Sequence, residues 1–157
     1  MFISPFVASP ELVIRRLLTL AELRSGEVFF DLGAGDGRPI ITAARDFGAR
    51  AFGIELRPDL AKQTLKRIYD LGLQDRVQII NEDLFKVDIR SADVVYMYLT
   101  TSANEKVRPK LEMELRGGTR VVSHDYEIVG WAPVKVERFC ENPALGFPTH
   151  TLYLYRK

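Results

Sequence analysis

The feature that most constrains this chain is a glycine turn set between an apolar run and a helical one, in EVFFDLGAGDGRPIITAARDF, Glu27 to Phe47. Val28 to Leu32 is short, apolar and bounded by glycine, which suits a strand buried on both faces. The helix is expected from about Pro39 to Phe47. In such a unit the first N–H groups of the helix lie beside the carboxyl end of the strand, where open parallel sheets bind ligands. Glycines let the backbone come close to a ligand and take φ > 0. The spacing Gly33-Ala34-Gly35-Asp36-Gly37 is G-x-G-x-G, with Arg38 and Pro39 next, and so departs from the G-x-G-x-x-G of dinucleotide sites.

The cycle repeats along the chain. Ahead of the turn, Ser9-Pro10 reads as N-cap and first helical residue, Val13, Ile14, Leu17, Leu18 and Ala21 recur at helical spacing, and Gly26 is the expected stop. After it come a strand at Ala51–Leu56 and a helix opened by Pro58, with Ala61, Leu65, Ile68 and Leu71 on one face and Gly72 as its stop. Strands follow at Val77–Ile80 and Asp93–Leu99, then a helix from about Ala103 or Pro109 to Arg116, and a fifth strand at Thr119–His124. Alternation of this kind predicts an α/β fold, an open, mostly parallel sheet with helices on both faces. Val134–Phe139 and Thr149–Tyr155 are joined without a helix and should pair antiparallel. No repeat or linker interrupts residues 1–157, so one domain is expected.

Acidic groups set the chemistry of the turn. Asp31 precedes it and Asp36 lies within it, and two carboxylates beside a pyrophosphate would repel it. A ligand with a positive centre and an ammonium group suits them, and S-adenosylmethionine has both. Glu55, 22 residues past Gly33 at the end of the second strand, can accept from ribose hydroxyls. Asp83, in NEDLF at the end of the third, can accept from an adenine amino group, with Leu84 or Phe85 beside the ring. Alone, the glycine turn could be a mere turn, Glu55 a solvated strand end and Asp83 a helix or turn cap, but three such features at successive strand ends are not a packing requirement.

Composition narrows the partners. Charges nearly cancel at +1, which implies no polyanion-binding surface, so nucleic acid is disfavoured as a partner. No apolar run reaches the roughly 18 residues of a membrane span, and Met1 to Val7 lacks the pattern of a secretory signal. One cysteine, Cys140, permits neither an internal disulfide nor a cysteine zinc site. A cytoplasmic location with no membrane partner and no metal is therefore expected.

With those residues set out, FFDLGAGDG resembles the first motif of class I S-adenosylmethionine-dependent methyltransferases. The chain is more closely similar to the small archaeal broad-specificity protein-lysine methyltransferases, relatives of mitochondrial lysine methyltransferases. The resemblance rests on PFVASPELVIRRLLTLAEL, DLGAGDGR, RPKLEMELRGGTRVVSHDYEIVGWAP and THTLYLY, and covers nearly the whole length. It implies a Rossmann-like, seven-stranded sheet closed by the C-terminal hairpin. It implies a cofactor site lined by Asp31, Gly33, Ala34, Gly35, Asp36, Gly37, Glu55, Asp83 and Leu84, with Pro5 to Ser9 (Phe6 and Ser9 included) folding over the cofactor. It further implies methylation of exposed lysines on many proteins, with S-adenosylhomocysteine as product, by an enzyme expected to be a monomer. Pro39, where an aliphatic residue is expected, is tolerated in a first helical turn.

On the acceptor side, VVYMYLTT ends the fourth strand. Enzymes that methylate amide or exocyclic amino nitrogens often carry Asn/Asp-Pro-Pro-aromatic there, and this chain has Tyr98-Leu99-Thr100-Thr101, which leaves lysine open. Tyr98 is the candidate at the acceptor nitrogen, unless it and Tyr96 are core. Thr100, Asn104 and Trp131 are candidate substrate contacts, Trp131 being either rim or hairpin anchor. His124-Asp125 has the look of a general-base pair, but no nucleophile motif accompanies it, and His124 and His150 read as structural. An acceptor on RNA or a small molecule, or a non-catalytic cofactor-binding module, are the competing readings.

Overall fold

A computed structural model of the protein describes residues 8–157. Its elements are α1 (Glu11–Leu20), β1 (Val28–Asp31), α2 (Arg38–Phe47), β2 (Arg50–Ile54), α3 (Pro58–Asp70), β3 (Val77–Ile80), β4 (Val94–Met97), α4 (Thr101–Glu114), β5 (Arg120–His124), β6 (Lys135–Phe139) and β7 (His150–Arg156). The strands form one seven-stranded sheet in the order β3-β2-β1-β4-β5-β7-β6. Pairings from β3 through β5 are parallel, and β7 pairs antiparallel with both β5 and β6. The strand order reverses between β1 and β4, the switch point beside which open α/β sheets hold ligands.

Successive residues of a strand face opposite sides, so each central strand feeds two cores. Phe29, Val94, Tyr96 and Val122 pack with Val13, Ile14, Leu17 and Leu18 of α1 and Ile40 of α2. Phe30, Val95, Met97 and Val121 pack with Val107 and Leu111 of α4 on the other side. Both faces of β1, β4 and β5 are thus covered, which is why these strands read as continuous apolar runs.

Several boundaries differ from the sequence expectation. Ser9 does not cap α1: the N-cap is Pro10, with no side-chain cap bond, and the Ser9 hydroxyl is buried in bonds to Tyr96 and His124. Gly26 does not end the helix either. It closes at Leu20 because Glu22 takes the left-handed conformation (φ 53°), so that Leu23 N–H reaches Leu18 O and Glu22 N–H reaches Thr19 O. In α3 the inward face is Leu60, Ala61, Thr64 and Ile68, while Leu65 and Leu71 are exposed. Thr100 caps α4 by accepting from Ala103 N–H, and Pro109 sits inside that helix.

Candidate cofactor and acceptor site

The glycine turn joins the carboxyl end of β1 to α2, and each of its glycines answers a local demand. Gly35 and Gly37 have φ of 54° and 84°, a region costly for a side chain, and a Cβ on Gly37 would stand 2.5 Å from Thr64 Cγ2. Thr64 Oγ1 donates to Gly35 O at 3.0 Å, and Arg67 Nη1 donates to Asp36 O at 2.9 Å, so α3 holds the turn from behind. Gly53 in β2 admits the turn from below: a Cβ there would meet Ala34 Cβ at 2.7 Å and Ile40 Cδ1 at 2.8 Å. An isolated glycine inside a strand pattern is the sequence signal for such close approach.

Asp31 is 1 % exposed. Its Oδ1 accepts from Gly33 N–H at 3.1 Å, and its Oδ2 is buried without a hydrogen-bond partner among the described residues. Burial pushes this carboxyl up to about 7; the Gly33 N–H opposes the rise, and Glu55 and Asp36 add to it. A buried acceptor with an unused oxygen is costly, and a donor or cation brought to it is strongly favoured. Asp36 pairs with Arg38, through the backbone N–H at 3.2 Å and the guanidinium at 2.9 Å.

Glu55, at the end of β2, accepts from Gly35 N–H at 2.8 Å and from Arg57 N–H at 2.9 Å, which staples the turn to the neighbouring strand. Each carboxylate oxygen keeps a second lone pair for a hydroxyl. Asp83 caps a short 3-10 turn by accepting from Phe85 N–H at 3.0 Å, and Leu84 beside it is buried. Phe6 lies outside the described residues. Ser9, Asp31, Gly33, Ala34, Tyr96 and Tyr98 line one cleft above the turn. The donor set fits S-adenosylmethionine: an unsatisfied acid at the head of a glycine turn, then carboxylates at the ends of the next two strands.

Tyr98 follows β4 and stacks on His124 with ring centroids 3.9 Å apart. Partial burial, then Asp125 and Tyr126, raise its hydroxyl, so it stays a neutral phenol. Asp125 has φ 65°, an uncommon conformation that its carboxylate fixes by accepting from Thr151 N–H at 3.0 Å while its own N–H bonds Thr151 O. The sequence marked Asp125 only as a neighbour of His124; the structure brings its carboxylate to 3.4 Å from His124 Nε2 and 3.7 Å from His150 Nδ1. Burial pushes His124 down to about 4, so it is a neutral imidazole at physiological pH. His124 Nε2, His150 Nδ1 and an Asp125 oxygen lie within 4.8 Å of one another. The two nitrogens are 2.8 Å apart. Two ligands on one tetrahedral metal would stand roughly 3.3 Å apart, so this is the geometry of a shared proton.

The remaining expected substrate residues each have a structural partner. Thr100 spends its oxygen on the α4 cap. Asn104 is fully buried and donates to Tyr126 O and Glu127 O, holding the segment after β5 in place. Trp131 packs edge-on against Tyr155 and donates to Glu112. Tyr155 pairs with Val121, at the start of β5, whereas the cleft residue His124 ends that strand. Trp131 is therefore an anchor at the opposite end of the sheet, because β7 runs antiparallel and carries its last aromatic away from the cleft.

Residues 31–135 match the ANTKMT methyltransferase domain family. A protein-lysine N-methyltransferase of Saccharolobus islandicus is 45% identical over 152 residues, spanning 96% of this chain and 92% of that one. The mouse adenine nucleotide translocase lysine N-methyltransferase is 35% identical over 133 residues, 84% of this chain and 57% of that protein. The crystal structure of an RNA methyltransferase from Salinibacter ruber, in complex with S-adenosyl-L-homocysteine, superposes with a TM-score of 0.88 and is 42% identical, covering 96% of this chain and 93% of that one.

Proposed function

The chain belongs to the ANTKMT methyltransferase domain family, and from that membership we propose that it moves the methyl group of S-adenosylmethionine to lysine side chains of many proteins. The observation that carries this reading is the pairing of the buried, half-satisfied Asp31 with the Tyr98–Asp125–His124 wall at the next two strand ends.

When bound, S-adenosylmethionine supplies an electrophilic methyl group on a sulfonium. Asp31 would accept from the α-ammonium of that ligand, and Glu55 and Asp83 would accept from its ribose and adenine. The acceptor lysine has an ordinary pKa of about 10.4 and must lose a proton before its lone pair can attack. A half-buried aromatic wall lowers that value by desolvation, and the neutral Tyr98 hydroxyl can accept a hydrogen bond from the amine and orient it. Transfer is in line, so positioning is the main demand on the protein.

Breadth of substrate follows from an open approach. The segment from Asp125 to Val134, between β5 and β6, holds no inserted element that could cover the cleft. Among the described residues no helix is long and apolar enough to cross a membrane. Action as a monomer in the cytoplasm completes the proposal.

A second reading is an RNA acceptor, favoured by the Salinibacter neighbour and disfavoured by the net charge of +1. The test incubates the purified protein and labelled S-adenosylmethionine with a mixture of soluble proteins and, separately, with total RNA. An Asp31→Ala variant serves as blank. Many protein bands labelled at lysine support the proposal; label on RNA alone overturns it.

A further inference from the structure

The cleft wall holds a continuous line of hydrogen bonds that the methyl-transfer reading does not use. Tyr96 donates its hydroxyl to Ser9 Oγ at 2.6 Å, and Ser9 Oγ lies 2.9 Å from His124 Nδ1. His124 Nε2 lies 2.8 Å from His150 Nδ1, and His150 Nε2 lies 2.8 Å from Glu141 Oε1. Ser9, Tyr96 and His124 are buried, His150 is half-buried, and Glu141 opens to solvent in the β6–β7 loop. Ser9 and Tyr96 line the cleft beside Asp31 and Tyr98.

Both ends of the line impose the same sense. A carboxylate can only accept, so His150 gives Glu141 its Nε2 proton. With neutral rings, His150 Nδ1 then accepts from His124 Nε2–H, and His124 Nδ1 accepts from the Ser9 hydroxyl. Ser9 Oγ in turn accepts from Tyr96, whose phenol burial holds protonated. Every link carries one proton and points from cleft to surface. Asp125, whose carboxylate lies 3.4 Å from His124 Nε2 and 3.7 Å from His150 Nδ1, favours a passing positive charge, as does Glu141. Tyr98 stacks on His124, and Tyr126 stacks on Tyr98.

We propose that Ser9, His124, His150 and Glu141 form a proton exit, which takes the proton shed by the acceptor ammonium from the cleft wall to solvent. The proposal rests on lysine being the acceptor. The ammonium N–H bond breaks toward Ser9 Oγ, and its electron pair stays on nitrogen. Ser9 passes its own proton to His124 Nδ1, His124 passes its Nε2 proton to His150 Nδ1, and His150 passes its Nε2 proton to Glu141. One proton enters and one leaves, when the Glu141 carboxylic acid gives it to water. The free pair then forms the N–C bond as the C–S bond breaks, and sulfur keeps the electrons of that bond. Hydroxyl rotation and imidazole tautomerisation restore the line.

The experiment measures kcat against pH for wild type, Glu141→Gln and His150→Ala on a lysine-bearing protein, with cofactor affinity by calorimetry. The expected result is a loss in kcat of about ten- to hundredfold at neutral pH, with cofactor affinity unchanged. That loss shrinks above about pH 9, where the amine's own ionisation supplies the free base, and added imidazole rescues His150→Ala. Variants with the wild-type kcat, or with a loss that is the same at every pH and resists imidazole, overturn the exit while leaving lysine methylation standing. A wild-type enzyme that labels no lysine overturns the function and the exit together.

Discussion

Gly53 of β2 and Ala34 of the glycine turn are in such close register that a Cβ on Gly53 would lie 2.7 Å from the Ala34 Cβ. The turn presses on the neighbouring strand there, and this contact sets its height above the sheet. Gly53→Ala should lower stability by about 1–3 kcal/mol, the usual cost of overpacking, and weaken S-adenosylmethionine binding. Denaturant unfolding and calorimetry on the variant check both; unchanged binding would separate the strand contact from the site.

Asp31→Asn tests whether the buried acid is kept for a cationic ligand. Burial holds the folded carboxyl at about 7, above its ordinary 3.8, so between those values the folded state keeps a proton that the unfolded chain has released. Stability therefore falls as pH rises from about 4 to 7, and the cost persists above. The variant should melt higher than wild type at pH 8, with the gap closing toward pH 4, and should lose most of its affinity for S-adenosylmethionine. A melting difference independent of pH would rule out the perturbed carboxyl as its cause.

Tyr98→Phe keeps the ring that stacks on His124 and removes only the hydroxyl. If that hydroxyl orients the amine, kcat should drop about ten- to hundredfold with cofactor affinity intact. Steady-state kinetics alongside a binding isotherm decide it, and an unaltered kcat would assign Tyr98 to packing.

Glu22 holds the left-handed position that closes α1. A non-glycine residue pays about 1–2 kcal/mol there, and glycine gives back part of that gain as backbone entropy. Glu22→Gly should therefore stabilise the protein by about 0.5–1 kcal/mol without altering methyl transfer. Chemical denaturation reads the sign directly.

The distribution of these features between sequence and structure has a physical basis. Strands β1 to β5 and the C-terminal hairpin were legible because their signals are local: apolar runs, glycine stops and prolines at helix starts act over a few residues. The acids at successive strand ends were legible for the same reason, since the parallel alternation itself aligns those ends. Helix limits were less so. Glu22 replaced Gly26 as the stop of α1 because a Schellman closure depends on backbone conformation, which glutamate can adopt at a cost.

What the sequence determined by itself was the alternating order of strands and helices and the acidic glycine turn that order presents. Tertiary structure alone decided the rest. It buried Ser9 against His124, 115 residues away, instead of leaving it as a helix cap. It drew His150 to His124 by antiparallel pairing and sent Trp131 to the far end of the sheet. Residues so distant in sequence meet only through the order and direction of the strands, and no local periodicity encodes which of them will share a proton.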